Sequence, residues 1–261
     1  MQSFFPALAS FFAVALGIGI FVLLLVGRRV GRRRAAADPD GSHVGLGAVD
    51  GAVFGMLGLL IAFTFSGAAS RFDARRSMIV TEVNDIGTAW LRVDLLAREE
   101  QPAMRALFRS YLDARLATYA NVRSIEQTNA ANAEALRQQE AIWTLAVATV
   151  SRPGSAPSAP MLLLPALNAM FDTAEARRLV TTHHPPLVIF GMLATFAMVG
   201  ALLAGYGMAK GRALSLTHAL GFALVLASTV YVIVDLEYPR LGFIRVDAAD
   251  QALVDLRRTM D

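Results

Sequence analysis

Charged side chains that could act on a small ion lie close together immediately after a long apolar run. Arg71, Asp73, Arg75 and Arg76 fall within one short segment, SRFDARR. Arginines at the edge of an apolar run anchor a helix to lipid headgroups, and they also raise the local concentration of anions. The sequence leaves both interpretations open. The second involves electrostatic attraction of an anion and no covalent chemistry.

Two further sets of charged residues are candidates for ion pairs. Glu82 and Asp85 lie three residues apart, so a helix places them on one face, and Arg92 follows on the same segment. No histidine lies near them in the sequence to complete a metal site. We therefore expect these three residues to form pairs between helices or between subunits.

The other set follows the last apolar run and consists of Asp235, Glu237 and Arg240. One interpretation is a charged boundary that fixes the depth of a helix in the membrane. The other is that this region packs near residues 71–76 and pairs charges with them. Both interpretations stay open at the level of the sequence.

The patterns that indicate an enzyme are missing from the sequence. There is no cysteine, no glycine-rich phosphate loop, no nucleophile elbow and no HExxH pattern. His183 and His184 are adjacent, so a helix directs them about 100° apart and they do not face one metal ion together. The basic residues lie beside apolar runs, which suits lipid headgroups better than nucleic acid. We expect no enzymatic activity, no cofactor, no metal and no nucleic-acid partner.

The elements that position these residues are long apolar helices. Hydrophobic residues make up 55% of the chain and charged residues 17%, with a mean hydropathy of +0.49. A helix needs roughly 20 apolar residues to cross a bilayer. Charge-free runs of about that length predict four membrane helices at residues 4–26, 51–70, 187–209 and 213–234. Five arginines follow the first run, which favours a retained anchor over a cleaved signal peptide.

Between the second and third runs lies a polar segment, residues 71–185, whose pattern is helical. Apolar residues recur at three- and four-residue spacing in two stripes, which predicts a helical hairpin extending to about residue 139. A loop at 151–160 and one more helix follow. We therefore predict an all-α membrane helical bundle that forms oligomers and carries a long helical insert outside the membrane. The predicted divisions are 1–70, 71–185, 186–236 and 237–261. The stripes are Ile79, Val83, Ile86, Trp90 and Val93, then Met104, Phe108, Leu112, Leu116 and Tyr119.

The second apolar run carries small residues at helical spacing, namely Gly55, Gly58, Ala62 and Ser66. Small residues let helix backbones approach closely in lipid. They indicate either packing within one bundle or a helix that lines a central pore in an oligomer. The sequence does not decide between these two uses.

Three segments, SRFDARR at 70–76, TEVNDIGTAWLR at 81–92 and DLEYPRLGFIRV at 235–246, resemble recurring blocks of bacterial bestrophin-like proteins of unknown function. That resemblance covers most of the chain. The second helix also resembles that of bestrophins, which are pentameric anion channels with an apolar neck.

This resemblance implies a homo-oligomer, a pentamer if the likeness is complete, in a bacterial inner (plasma) membrane. It implies that Gly55, Leu59 and Phe63 form the neck and that chloride or another small anion passes. The chain lacks the acidic cluster that binds calcium in animal bestrophins, so calcium gating is not implied.

Two questions stay open after the sequence is considered. The positive-inside rule places the basic connections at 28–34 and 210–212 in the cytoplasm, whereas the resemblance places the 71–185 insert there. The function is either an ion channel or a non-conducting scaffold or sensor whose helical insert binds a partner protein.

Overall fold

The computed structural model describes residues 5–37, 46–120, 124–210 and 215–261. Every regular element in these ranges is a helix, which confirms the all-α prediction. Short 3₁₀ turns follow α2 at Val93–Leu95 and α6 at Met208–Lys210. The helices in chain order are α1 (Phe5–Ala37), α2 (Leu46–Arg92), α3 (Gln101–Ala120), α4 (Ile125–Val150), α5 (Ser158–Thr182), α6 (Leu187–Gly207), α7 (Leu216–Glu237) and α8 (Asp247–Arg258).

Four segments of the described chain are long and apolar enough to cross a membrane, as the sequence predicts. The third of them contains α5 and α6, and the predicted run 187–209 falls on α6 and its 3₁₀ turn. Residues 4, 38–45 and 211–214 lie outside the described residues, so the ends of the first and fourth predicted runs are not described. The four segments are Ser10–Ala37, Gly47–Leu95, Ser158–Gly207 and Leu216–Glu237.

The ends of the helices differ from the prediction in three places. Helix α1 continues through the arginine run to Ala37, and α2 runs without interruption from the apolar run into the polar segment. A change in hydropathy alters what surrounds a helix, and it does not by itself end one. The stretch to residue 139 also does not extend the hairpin. It belongs to a separate helix, α4, which Ser124 caps by accepting the Gln127 N–H at 3.3 Å and which packs along α3.

The chain divides into two compact units. The membrane unit comprises residues 5–71 and 184–243, and the insert unit comprises residues 72–183 and 244–261.

In the membrane unit, α1 packs along α6 and α7. Its closest approach to α6 is at two glycines. A Cβ atom on Gly27 would lie 1.9 Å from the carbonyl oxygen of Leu202, and one on Gly205 would lie 1.9 Å from the carbonyl oxygen of Leu24. Such close backbone contact is how small residues join helices in lipid.

In the insert unit, the two predicted stripes form the core together with apolar residues of α4 and α5. Ile86, Phe108 and Leu112 are fully buried, and the rings of Trp90 and Phe108 meet edge to face at 6.0 Å. Helix α8 covers this core through Leu253. The apolar periodicity therefore identified the buried faces correctly.

Candidate functional site

The second membrane helix has one face that no other helix of the chain covers in the described structure. Gly55, Leu59 and Phe63, the predicted neck residues, are four residues apart and lie on one side of α2. Leu59 is 56% exposed and Phe63 68% exposed. The other side of α2 packs on α6, where a Cβ atom on Gly200 would lie 3.3 Å from the Phe54 ring.

The small residues of α2 lie on or beside this exposed face. No atom in the described structure lies within 4 Å of a Cβ placed on Gly55 or Gly58, and Ala62 and Ser66 are exposed. These residues therefore do not pack against another helix of the same chain in the part that the structure describes. We call Gly55, Gly58, Leu59, Ala62, Phe63 and Ser66 the open face of α2.

Phe63 also lies at the edge of an apolar groove between α2, α6 and α7, with a volume of about 370 Å³. Apolar side chains form nearly all of its surface, and Arg71 and Glu237 also line it. The other lining residues are Leu60, Thr64, Gly67, Pro185, Ile189, Phe190, Met192 and Ile233.

Arg71 and Glu237 form an ion pair in the membrane unit. The Arg71 Nε donates to Glu237 Oε1 at 2.8 Å, Nη2 donates to the same oxygen, and the Glu237 side chain is fully buried. His184 Nδ1 lies 3.8 Å from Glu237 Oε2, and the His184 ring stacks on Tyr238 at 4.4 Å. The charge of Arg71 is therefore balanced by the carboxylate of Glu237, the last residue of α7.

Asp235 has a different role from Glu237. Both of its carboxylate oxygens accept the Phe243 N–H at 3.1 Å, so the side chain holds the loop that follows α7. A Cβ atom on Gly242 would lie 1.4 Å from Asp235 Oδ1, so a larger residue there would displace the carboxylate from this position. Arg240 lies half-buried in this loop. The sequence allowed residues 235–240 to pair charges with residues 71–76. Glu237 does so through Arg71, whereas Asp235 stabilises the loop that follows α7.

The rest of the cluster at 71–76 lies in the insert unit, on the continuation of α2. Arg75 is buried and donates to the carbonyl oxygen of His183 at 3.0 Å. Arg76 is exposed, lies 3.8 Å from the Asp73 carboxylate and stands 5.8 Å from the centre of the Phe72 ring. The three arginines predicted to act together therefore have different surroundings, and Arg76 is the one most open to solvent.

Glu82 lies at the centre of a buried network in the insert unit. Arg115 Nε donates to its Oε1 at 2.6 Å, and Arg177 Nη1 donates to its Oε2. Arg177 also donates to Asp250 on α8 at 2.6 Å and stands 3.6 Å from the centre of the Tyr119 ring. The sequence pointed to Glu82 but not to Arg115 or Arg177, because arginines on amphipathic helices resemble a solvated face.

Arg115 remains charged in this buried setting. Burial lowers the pKa of Arg115, but Tyr119 and Glu82 raise it by more, so that its pKa lies above the ordinary value. Burial also raises the pKa of Tyr111, which is on the same helix. Glu82 accepts hydrogen bonds from two guanidinium groups, which together link α2, α3 and α5.

The remaining predicted pairs also join helices of the insert unit. Asp85 accepts the Thr173 hydroxyl at 2.6 Å, and Arg92 donates to the carbonyl oxygen of Leu162 at 2.6 Å. Both contacts connect α2 to α5. Among the residues that the structure describes, no three His, Asp or Glu side chains are close enough to hold a metal ion.

Comparison with known protein families identifies the family of this chain. The family model of the Bestrophin-like domain matches residues 15–251, which is most of the 261-residue chain. No curated protein and no solved structure matches. The resemblance predicted from residues 70–76, 81–92 and 235–246 is confirmed, and this membrane protein belongs to the Bestrophin-like domain family.

Proposed function

We propose that the protein assembles into a homo-oligomeric channel in which the open face of α2 surrounds the pore. The proposed ion is chloride or another small anion, and the proposed location is a bacterial inner membrane. The observation that carries the proposal is the open face itself, where Leu59 and Phe63 are exposed and a Cβ placed on Gly55 would meet no atom of another helix within 4 Å in the described structure.

The composition of this face supports a pore more than a surface turned to lipid. Lipid contact favours bulky apolar side chains along the whole helix, whereas Gly55, Gly58 and Ser66 present little apolar surface. In a ring of α2 helices, the small residues permit close approach. Leu59 and Phe63 then supply an apolar constriction of the kind that gates by dewetting.

The first test is the oligomeric state of the full chain in detergent, measured by light scattering coupled to size exclusion. A pore along a symmetry axis requires a closed ring. We expect four or more copies, with five implied by the resemblance to bestrophins. A monomer or a dimer contradicts the proposal, because neither encloses an axial pore.

Enlarging the constriction is expected to raise ion flux. The variant Leu59→Ala with Phe63→Ala removes the two largest side chains of the open face, so water enters the neck at lower cost. We expect a several-fold rise in chloride flux in reconstituted vesicles. The matched control is Leu220→Ala with Leu224→Ala, which alters two equally spaced, exposed residues on α7. Equal flux from the control and the neck variant contradicts the assignment of α2 to the pore.

We call Arg71, Asp73, Arg75 and Arg76 the boundary cluster. Charge at its exposed positions is expected to tune selectivity. Arg76→Gln should lower the preference for chloride over sodium and Asp73→Asn should raise it, since one removes a positive and the other a negative charge. The change is at most about fivefold, because a unit charge about 4 Å away in water contributes about 1 kcal/mol. Reversal potentials measure it. A shift in the same direction for both variants rules out electrostatic focusing by this cluster.

One observation favours a second candidate, a non-conducting scaffold or sensor. Helix α4 exposes Leu136, Trp143 and Val147 at seven- and four-residue spacing, which places them on one face of the insert unit. Such a face is typical of a surface that binds another protein. The flux experiment also tests this candidate. If correctly assembled protein conducts no ions, both as wild type and as Leu59→Ala with Phe63→Ala, the scaffold or sensor function replaces the channel.

A further inference from the structure

The last turns of α1 carry a dense positive charge. Helix α1 continues beyond its apolar run to Ala37, and this extension holds Arg28, Arg29, Arg32, Arg33 and Arg34. No acidic residue occurs anywhere in α1. Arg28 is buried, and the other arginines are exposed. The end of this membrane helix therefore has a strongly positive surface.

Three of these arginines share one face of the helix. Arg29, Arg32 and Arg33 are related by three- and four-residue spacing, so their side chains leave neighbouring positions on the helix surface. Guanidinium groups bind phosphate oxygens through charge-assisted hydrogen bonds, often two at a time. Three on one face are suited to a single phosphate or phosphodiester.

The same face is apolar where the helix enters the membrane. Ile18, Val22 and Leu25 are exposed and precede Arg29 by eleven, seven and four residues, which keeps all of them on one side of α1. Ile20, on the opposite side, is fully buried in the membrane unit. The exposed face thus joins an apolar strip directly to an arginine cluster.

We infer that this face of α1 binds one anionic phospholipid, with its phosphodiester on Arg29, Arg32 and Arg33. An acyl chain lies along the apolar strip formed by Ile18, Val22 and Leu25. A free phosphate uses only the arginines, whereas a phospholipid uses both parts of the face. A zwitterionic lipid carries an ammonium group that these arginines repel, so the site discriminates by net headgroup charge.

The strength of this recognition follows from the number of arginines. Each basic residue near an anionic membrane surface strengthens attraction by about fivefold. Removing three is therefore expected to weaken binding by about a hundredfold if all three contact the headgroup.

The experiment titrates phosphatidylglycerol into the full chain purified in detergent. Thermal unfolding gives the midpoint temperature at each lipid concentration, and native mass spectrometry gives the mass of the lipid that stays bound. We expect retained lipid and a raised midpoint for wild type. We expect about a hundredfold weaker binding for Arg29→Gln with Arg32→Gln and Arg33→Gln. The single variant Arg33→Gln, expected to bind about fivefold more weakly, tests the site if the triple variant does not fold.

A second triple variant separates a discrete site from general surface charge. Arg137→Gln, Arg178→Gln and Arg258→Gln remove the same net charge from exposed positions of the insert unit. We expect wild-type binding of phosphatidylglycerol by this control. An equal loss in both triple variants overturns the inference.

Two other ligands test the chemistry of the proposed occupant. Phosphatidylcholine should bind much more weakly than phosphatidylglycerol, and inorganic phosphate should not reproduce the stabilisation at equal concentration. Equal binding of phosphatidylcholine overturns the role of the arginines in recognition. Equal stabilisation by inorganic phosphate overturns the lipid and assigns the arginines to a soluble anion.

Discussion

Glu82→Ala is expected to cost about 3–5 kcal/mol of unfolding free energy, the loss typical of breaking a buried ion pair by removing one partner. The Glu82 side chain is fully buried, and it accepts hydrogen bonds from both Arg115 and Arg177. These arginines are 3% and 2% exposed, so removal of the carboxylate leaves two adjacent cations without their shared anion in a nearly dry site. Unfolding of the purified full chain, followed by circular dichroism in denaturant, measures the loss.

Two further variants of this network show whether charge or shape is lost. Glu82→Gln keeps the side-chain length and one acceptor oxygen but removes the negative charge, so we expect an intermediate loss. Glu175→Ala is the control, because Glu175 pairs with Arg178 on the exposed surface of α5. Exposed pairs contribute little, so the control should unfold within about 0.5 kcal/mol of wild type.

Replacing Glu82 together with both arginines should recover part of the stability. Glu82→Leu with Arg115→Met and Arg177→Met removes these three charges at similar volume, and such exchanges of buried ion pairs are often neutral or stabilising. The triple variant should therefore be more stable than Glu82→Ala. If Glu82→Ala has the same free energy of unfolding as the wild type, the network has no structural role, because the two arginines then find water or other partners.

The core of the insert unit was predictable because it depends on local periodicity. Ile86, Phe108 and Leu112 recur at helical spacing within their own segments, and each is buried where the pattern places it. The four membrane segments followed from run length and the absence of charge. Both kinds of signal lie within a few helical turns of sequence.

Contacts between distant segments were not predictable by these means. Glu82 meets arginines that are 33 and 95 residues away, and periodicity carries no information about pairing over such distances. The sequence also offered two uses for the small residues of α2. In the described structure the close contact between membrane helices is instead at Gly27 and Gly205, which belong to α1 and α6.

The boundary cluster shows the same limit in a functional setting. Arg71, Arg75 and Arg76 look equivalent in the sequence, as a single basic patch. In the structure Arg71 pairs with Glu237 and Arg75 donates to a backbone carbonyl, so the exposed Arg76 is the residue to change first in a test of anion attraction. Composition predicts a patch, whereas the partners of each side chain decide how much charge it presents.

Gly205→Ala is expected to destabilise the membrane unit strongly, although it adds a single methyl group. The new Cβ would lie 1.9 Å from the Leu24 carbonyl oxygen and 2.9 Å from the Leu24 Cα. These are backbone atoms, which cannot turn aside as a flexible side chain does. Helices α1 and α6 must therefore separate by about 1 Å or more to restore ordinary contact, and overpacking of this kind costs about 1–3 kcal/mol or more. Separation also weakens the reciprocal contact between Gly27 and the Leu202 carbonyl oxygen.

The matched control is Gly191→Ala, on the same helix, where a Cβ atom has nothing within 4 Å in the described structure. Alanine is the better helix former by about 1 kcal/mol, so this control should be as stable as wild type or more so. Heating each variant in detergent and measuring the fraction that remains monodisperse gives the comparison. Gly205→Ala should aggregate at a lower temperature than Gly191→Ala, and Gly205→Leu should fail to assemble. Equal melting of the two alanine variants contradicts close packing at this crossing, because intrinsic helix propensity alone raises both.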